Sequence, residues 1–210
     1  MFHDLETLIG SCVIATDGEM GKVRNFLFDD RSWTIRYLVV DVGNWLKHHP
    51  VLVAVTAVEQ RDWTKKTFHV RLTKEQVRNS PDVDTEKPVS RQQEIAMREY
   101  FGWQADWQDS EWFDVLPSIP PGREYPVHTK EDTDLRSGWD LKGYEVWATD
   151  GEIGNLEGFI VDDASWHLGY LDLKAGDWLH SRSVLVPTRW VESISWAHRR
   201  VNLHHTQEKV

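Results

Sequence analysis

The residues of this chain best suited to chemistry are carboxylates set close together in turns. Asp17, Glu19, Asp29 and Asp30 form one set, and Asp150, Glu152, Asp162 and Asp163 form a second. Paired carboxylates can serve as general acid and base, or offer oxygen ligands to a hard cation. Local structure competes for the same residues, because Asp-Gly and Asp-Asp are ordinary turn formers. The turns bounding one long strand also lie at its opposite ends, about 30 Å apart at ~3.3 Å per residue, which would separate Asp17 from Asp29. No EF-hand spacing is present. Turn chemistry is therefore the favoured reading of the acidic sets, with cation binding the alternative.

Other reactive types are less organised. Of ten histidines, His48-His49 and His204-His205 are adjacent pairs, and neighbours in an extended chain point apart. No zinc-type His spacing accompanies them, and no second cysteine joins Cys12. Cys12 falls in an apolar strand pattern, where a small buried residue in a reducing compartment is expected. No nucleophile elbow and no glycine-rich phosphate loop occurs. No catalytic residue, metal ligand or cofactor-binding residue is assigned, and no cofactor is expected. Twelve tryptophans are the stronger lead. Trp45 and Trp178 follow Gly43-Asn44 and Gly176-Asp177 and read as loop-borne, while Trp107 and Trp112 lie in an irregular stretch. These four are the candidate interaction residues, since large aromatics at a rim bury much area at small entropic cost. The competing reading folds each ring back over its own module.

The elements that position these residues come in duplicate. Ala15-Thr16-Asp17-Gly18-Glu19-Met20-Gly21 returns 133 residues later as Ala148-Thr149-Asp150-Gly151-Glu152-Ile153-Gly154. At the same offset Phe26, Asp29, Asp30, Ser32, Trp33 and Tyr37 return as Phe159, Asp162, Asp163, Ser165, Trp166 and Tyr170, and Trp63 returns as Trp196. Roughly two dozen identities over about 60 positions mark a duplicated module. In the first copy, Gly10–Thr16, Glu19–Phe28, Trp33–Val42, Val51–Val55, Val58–Asp62 and Thr67–Leu72 read as six short strands. Met20, Val23 and Phe26 should point inward, with a bulge between Gly21 and Asn25 and Gly21 at a close-packed position. Asp17-Gly18 and Asp150-Gly151 suggest type I′ hairpin turns, in which Gly18→Val and Gly151→Val would each cost about 1–3 kcal/mol. The short connections predict antiparallel pairing, and Pro187 should lie at an edge, bulge or strand end.

Between the copies, Thr73–Arg78 predicts a helical turn or two, and Ser90 with Gln93 forms a capping box for a helix near 91–101 that ends at Gly102. The stretch from Trp103 to Gly138 is rich in Trp and Pro. A flexible tether would be poor in aromatics, so part of it should be ordered against a module. The expected organisation is a first domain at 1–80, a linker at 81–137 and a second domain at 138–210.

A net charge of −10 and a pI near 5.4 disfavour nucleic acid and anionic membrane surfaces as partners. No apolar run approaches the roughly 20 residues of a membrane span, so no membrane insertion is expected. No signal-peptide pattern is seen at the N-terminus, and a cytoplasmic location is the expectation.

The carriers Gly10…Thr16-Asp17-Gly18-Glu19-x-Gly21-x-Val23-x-x-Phe26-x-Phe28-Asp29-Asp30, followed by Trp33-x-Ile35-x-Tyr37-Leu38-Val39-Val40, resemble the PRC-barrel family, to which the cytoplasmic domain of the photosynthetic reaction-centre H subunit belongs. The second copy carries the pattern from Gly143 through Leu171, and Leu135-Arg136-Ser137 together with the helix after Ser90 is similar to stand-alone bacterial proteins holding two such modules. The resemblance implies a mainly β protein with two small six-stranded antiparallel PRC-type β-barrels, joined by a helix-containing, Trp/Pro-rich linker. It also implies adaptor work, and the family has no common catalytic residues. The sequence shows neither a membrane helix before the first module nor the N-terminal domain that accompanies a similar barrel in the ribosome-maturation factor family, so neither of those roles is expected. The resulting expectation is a non-enzymatic protein-interaction or assembly adaptor, with an unidentified protein or a second copy of itself as partner. The alternatives are a small-ligand or cation-binding protein using the acidic turns, and an enzyme with its site between the barrels.

Overall fold

The computed structural model describes residues 1–43, 50–81, 96–97, 99–102, 135–176 and 182–210. The first copy contains β1 (Phe2–Asp4), β2 (Cys12–Ala15), β3 (Gly18–Asp29), β4 (Thr34–Asp41), β5 (Val51–Ala54), β6 (Val58–Asp62) and β7 (Thr67–Val70). The second repeats the order as β8 (Leu135–Ser137), β9 (Glu145–Ala148), β10 (Gly151–Asp162), β11 (Leu168–Ala175), β12 (Arg182–Pro187), β13 (Val191–Ser195) and β14 (Arg200–Leu203). The protein is mainly β, with a curled sheet for each copy.

The long strand β3 carries two bulges, at Met20 and at Arg24, where its register against β2 and β4 shifts. Each extra residue resets the two-residue alternation, so Met20, Val23 and Phe26 all point into the core as their spacing required. Gly21 is pressed against the neighbouring strand: a Cβ there would fall on the Asp41 carbonyl oxygen and come within 2.9 Å of Val42 Cα. Gly154 meets Lys174 and Ala175 in the same way.

The sheet orders are β5-β4-β3-β2-β7-β6 and β12-β11-β10-β9-β14-β13. One pair in each departs from the antiparallel expectation, since β2 with β7 and β9 with β14 run parallel. Those partners are the first and last long elements of a module. The crossover between them is the rest of the curled sheet, which satisfies the long connection that parallel pairing demands. Pro187 ends β12, an edge strand, as expected of a residue that cannot donate to a ladder.

Each sheet has a seventh strand, and it comes from the other copy. β1 pairs with β10 through Phe2↔Asp162, His3↔Val161 and Asp4↔Ile160. β8 pairs with β3 through Leu135↔Asp29, Arg136↔Phe28 and Ser137↔Leu27. Every one of these contacts maps onto the other by the 133-residue offset. The stretch 81–137, read from sequence as linker, thus ends in a strand of the first module's sheet.

The exchange lies on a pseudo-twofold axis that passes between Thr34 and His167, equivalent residues that bridge to one another. Ile35 N donates to Trp166 O at 3.0 Å, and Leu168 N donates to Trp33 O at 2.7 Å. A single apolar cluster runs through both copies, from Phe28, Ile35 and Phe68 to Phe159, Leu171 and Val201. A second cluster lies on the outer face of the first sheet, where Leu27, Tyr37, Val39, Leu52 and Ala54 are buried with Met97 and Leu135. Residues 96, 97 and 99–101 are helical there, and Gly102 at φ 65° leaves the helix in the left-handed region, as expected of a C-terminal glycine. The predicted start of that helix lies outside the described residues. Thr73 caps the helix Lys74–Arg78 in a complete capping box with Gln76.

Candidate functional site

The acidic sets are where chemistry was sought, and their geometry shows what they hold. Asp17 accepts from Lys74 N at 3.0 and 3.1 Å, while Thr16 N donates to Leu72 O at 2.9 Å. In the second copy Asp150 accepts from Gln207 N at 2.8 Å, and Thr149 N donates to His205 O at 2.9 Å. The Thr-Asp pair therefore fastens the end of each module to its first hairpin, 57 residues away. Two otherwise unpaired N–H groups at the start of a helical turn receive a carboxylate there.

Positive φ at both central residues is what type I′ requires, and neither Thr16, Asp17, Thr149 nor Asp150 has it. Thr16-Asp17 and Thr149-Asp150 are the loop residues, and the glycine is the first residue of the following strand. The type I′ assignment is thus corrected. Ladder geometry and the long-range Asp bond set the turn in its place. Gly18 still needs its freedom, at φ 122°, while Gly151 at φ 159° is close to extended.

The other acidic pair divides its labour. Asp29 accepts from Arg31 N, Ser32 N and Arg36, the last at 2.5 Å. Asp162 accepts from Ala164 N and the Ser165 hydroxyl, and the Ser165 bond holds its carboxyl below the usual range. The second carboxylate faces the exchanged strand instead. Arg136 Nε donates to Asp30 at 3.2 Å, and at the equivalent place His3 Nε2 lies 3.2 Å from Asp163. Arg136 also covers the Trp196 ring at 4.3 Å, as His3 stacks on Trp63 at 4.2 Å with nearly parallel planes. Each exchanged strand is thus gripped by a carboxylate of the sheet it joins and by a tryptophan of its own copy.

Trp33 and Trp166 complete the junction. Both are buried and both have positive φ, 52° and 60°, a backbone state that costs a bulky residue about 1–3 kcal/mol. The strained turn sends each ring across the axis. Trp166 lies 6.0 Å from Phe68 and 6.1 Å from Trp63 of the first copy, and Trp33 lies 6.5 Å from Phe159 of the second. The repeat pairs these tryptophans in the sequence but does not record that they cross between modules. Sequence reading also missed His3 and Arg136, because Phe2-His3-Asp4 and Leu135-Arg136-Ser137 share no identity. The signal available was the unbroken 133-residue offset, carried seven residues upstream of Gly10 and Gly143.

The structure does not bring Asp17 and Glu19 together with Asp29 and Asp30, which lie at opposite ends of β3. Among the described residues no group of three or more His, Cys, Asp or Glu is arranged to hold a metal ion. Cys12 is half-buried, less covered than expected, and burial with the nearby Glu19 carboxylate pushes its thiol pKa up, away from nucleophilic reactivity. Among the described residues no helix is long and apolar enough to cross a membrane. The candidate interaction residues Trp45, Trp107, Trp112 and Trp178 lie outside the described residues.

No curated protein matches the chain. The profile of the PRC-barrel domain family does match, over residues 2–77. That span begins at the exchanged strand β1 and ends within the helix capped by Thr73, so it takes in the complete first module. Its glycines and acidic turns are those that carry the resemblance, and residues 2–77 of this chain are a PRC-barrel domain.

Proposed function

We propose that this chain is a protein-interaction or assembly adaptor, in which residues 135–210 form a second PRC-type module fused to the first. The observation that carries this reading is the reciprocal strand exchange. It joins two equivalent modules through one core, so that the strand ends bounding the β4–β5 and β11–β12 loops form a related pair. Those loops carry Trp45 and Trp178. Two equivalent contact points on one body suit a partner with repeated or twofold-related sites, since the second contact then forms at high effective concentration. The residues kept in both copies point the same way. Their carboxylates hold N–H groups and exchanged strands, which supports a scaffold role over an acidic catalytic or cation site.

An affinity pull-down from native lysate, run beside sedimentation of the purified protein, tests this. The wild type should retain a defined partner or self-associate. Trp45→Ala and Trp178→Ala should each weaken retention, and the double variant should abolish it. A strictly monomeric protein that retains nothing would overturn the adaptor reading.

A further inference from the structure

The two modules differ most on their outer sheet faces. In the first, Leu52 and Leu135 are each 2% exposed, beneath Met97 and Phe101 of the helical stretch that follows the module. The equivalents in the second are Leu185, 51% exposed, and Phe2, 56% exposed. Phe2 packs edge-on against Tyr170 at 5.5 Å, and Ile160 and Pro187 take the places of buried Leu27 and Ala54. The same face is thus largely apolar in both modules, with Asp172 in the place of Val39, and it is covered in one.

We propose that the face formed by Phe2, Ile160, Tyr170, Leu185 and Pro187 is a docking surface for the Trp-rich segment 103–116 of the same chain. The face that is already covered is covered by the residues immediately before this segment, so a cover supplied by the chain itself has a precedent within the molecule. The segment carries Trp103, Trp107, Trp112, Phe113 and Leu116, and such a concentration of large apolar side chains needs a partner in water. Its charges are all acidic (Asp106, Asp109, Glu111 and Asp114), and the outward row of β11 sets exposed Lys174 beside Asp172, so apolar area and not charge carries the contact.

Reach permits the contact. Both ends of the stretch 103–134 are held at the first module, by Phe101 and by Leu135. A chain going out and back over that length spans up to ~50 Å each way. Tethering gives the segment an effective concentration on the order of millimolar, which outcompetes a second copy at ordinary protein concentration. Pairing of a second copy along the β12 edge is further opposed by Pro187, which cannot donate to a new ladder. This inference goes beyond the adaptor reading, because it gives Trp107 and Trp112 to the chain's own second module and leaves Trp45 and Trp178 for a partner.

Hydrogen exchange of the full chain, read by mass spectrometry, tests it. Amides within 103–116 should exchange at least ~10-fold more slowly than an unstructured chain. Leu185→Asp should release that protection while the amides of β10 and β11 keep theirs. If Leu185→Asp perturbs the sheet, Trp107→Ser/Trp112→Ser gives the reciprocal reading: the sheet stays protected and the intact face binds a hydrophobic dye more strongly. Unprotected exchange across 103–116 in the wild type would overturn the proposal. So would protection that survives Leu185→Asp, or a dimer in sedimentation that Leu185→Asp abolishes. The pull-down through Trp45 and Trp178 is read separately, so failure of one idea leaves the other standing.

Discussion

Gly21 and Gly154 are glycine because the neighbouring strand's backbone occupies the place of a side chain. Asp41 and Lys174 offer no flexible end that could swing aside, so Gly21→Ala and Gly154→Ala should each cost about 1–3 kcal/mol in urea unfolding. Gly18 and Gly151 differ although they are equivalent. Gly18→Val forces a side chain into φ 122° and should cost about 1–3 kcal/mol. Gly151→Val meets only the Gln207 amide and should cost about 1 kcal/mol through the lost Gln207–Glu152 bond. Equal losses at the two sites would show that the asymmetry is not functional in the fold.

His167 is the titrating residue on the pseudo-twofold axis. Its Nδ1 lies 3.1 Å from Ser32 O, and Asp162 and the Trp33 backbone also face it and favour its charged form. Burial outweighs them and holds its pKa below the ordinary value near 6.5. The folded state therefore binds a proton less readily than the unfolded state. The stability it contributes is present above pH ~6.5 and is lost as pH falls toward the lower folded value. His167→Thr copies the first module's residue, and should flatten the fall in melting temperature between pH 7 and pH 5. An unchanged pH profile would place the sensitivity elsewhere.

At the scale of elements, the exchanged strands are the decisive feature. Each is only three residues long, too short to hold by ladder bonds alone. Their middle residues supply the rest, through Arg136 on Trp196 and Asp30, and through His3 on Trp63 and Asp163. Arg136→Ala should destabilise the protein by about 1–3 kcal/mol, since it uncovers the Trp196 ring and removes the Arg136–Asp30 ion pair. Arg136→Met with Asp30→Asn should cost less than the sum of the separate changes. Strict additivity in chemical unfolding would show that the pair acts independently. The strands themselves were legible from period and turn residues, because each β-strand writes its own alternation. Parallel pairing of β2 with β7 was not, since it depends on how far the intervening sheet curls.

For the whole molecule, one core continuous across the axis predicts a single cooperative unfolding transition by calorimetry. A stronger consequence concerns the first module alone. Residues 1–80 lack β8, and they leave the Trp33 ring and the outer edge of β3 without cover. The same residues could satisfy themselves twofold, with β1 of each copy pairing with β3 of the other. A fragment of residues 1–80 should therefore sediment as a dimer. A folded monomer would show that the exchange is dispensable to the module.

The sequence by itself determined the module: its duplication, its strands, the inward Met20, Val23 and Phe26, the crowded Gly21 and the confinement of Pro187 to an edge, bulge or strand end. These follow from local rules of alternation, backbone freedom and missing donors, which a few neighbouring residues suffice to express. It also suggested that the acidic turns are structural, but not what they grip. Only the tertiary structure decided that Asp17 reaches Lys74, that Asp30 reaches Arg136, and that Trp33 and Trp166 cross into each other's modules. Those contacts join residues from 57 to 135 positions apart, and no local pattern records a partner at that distance.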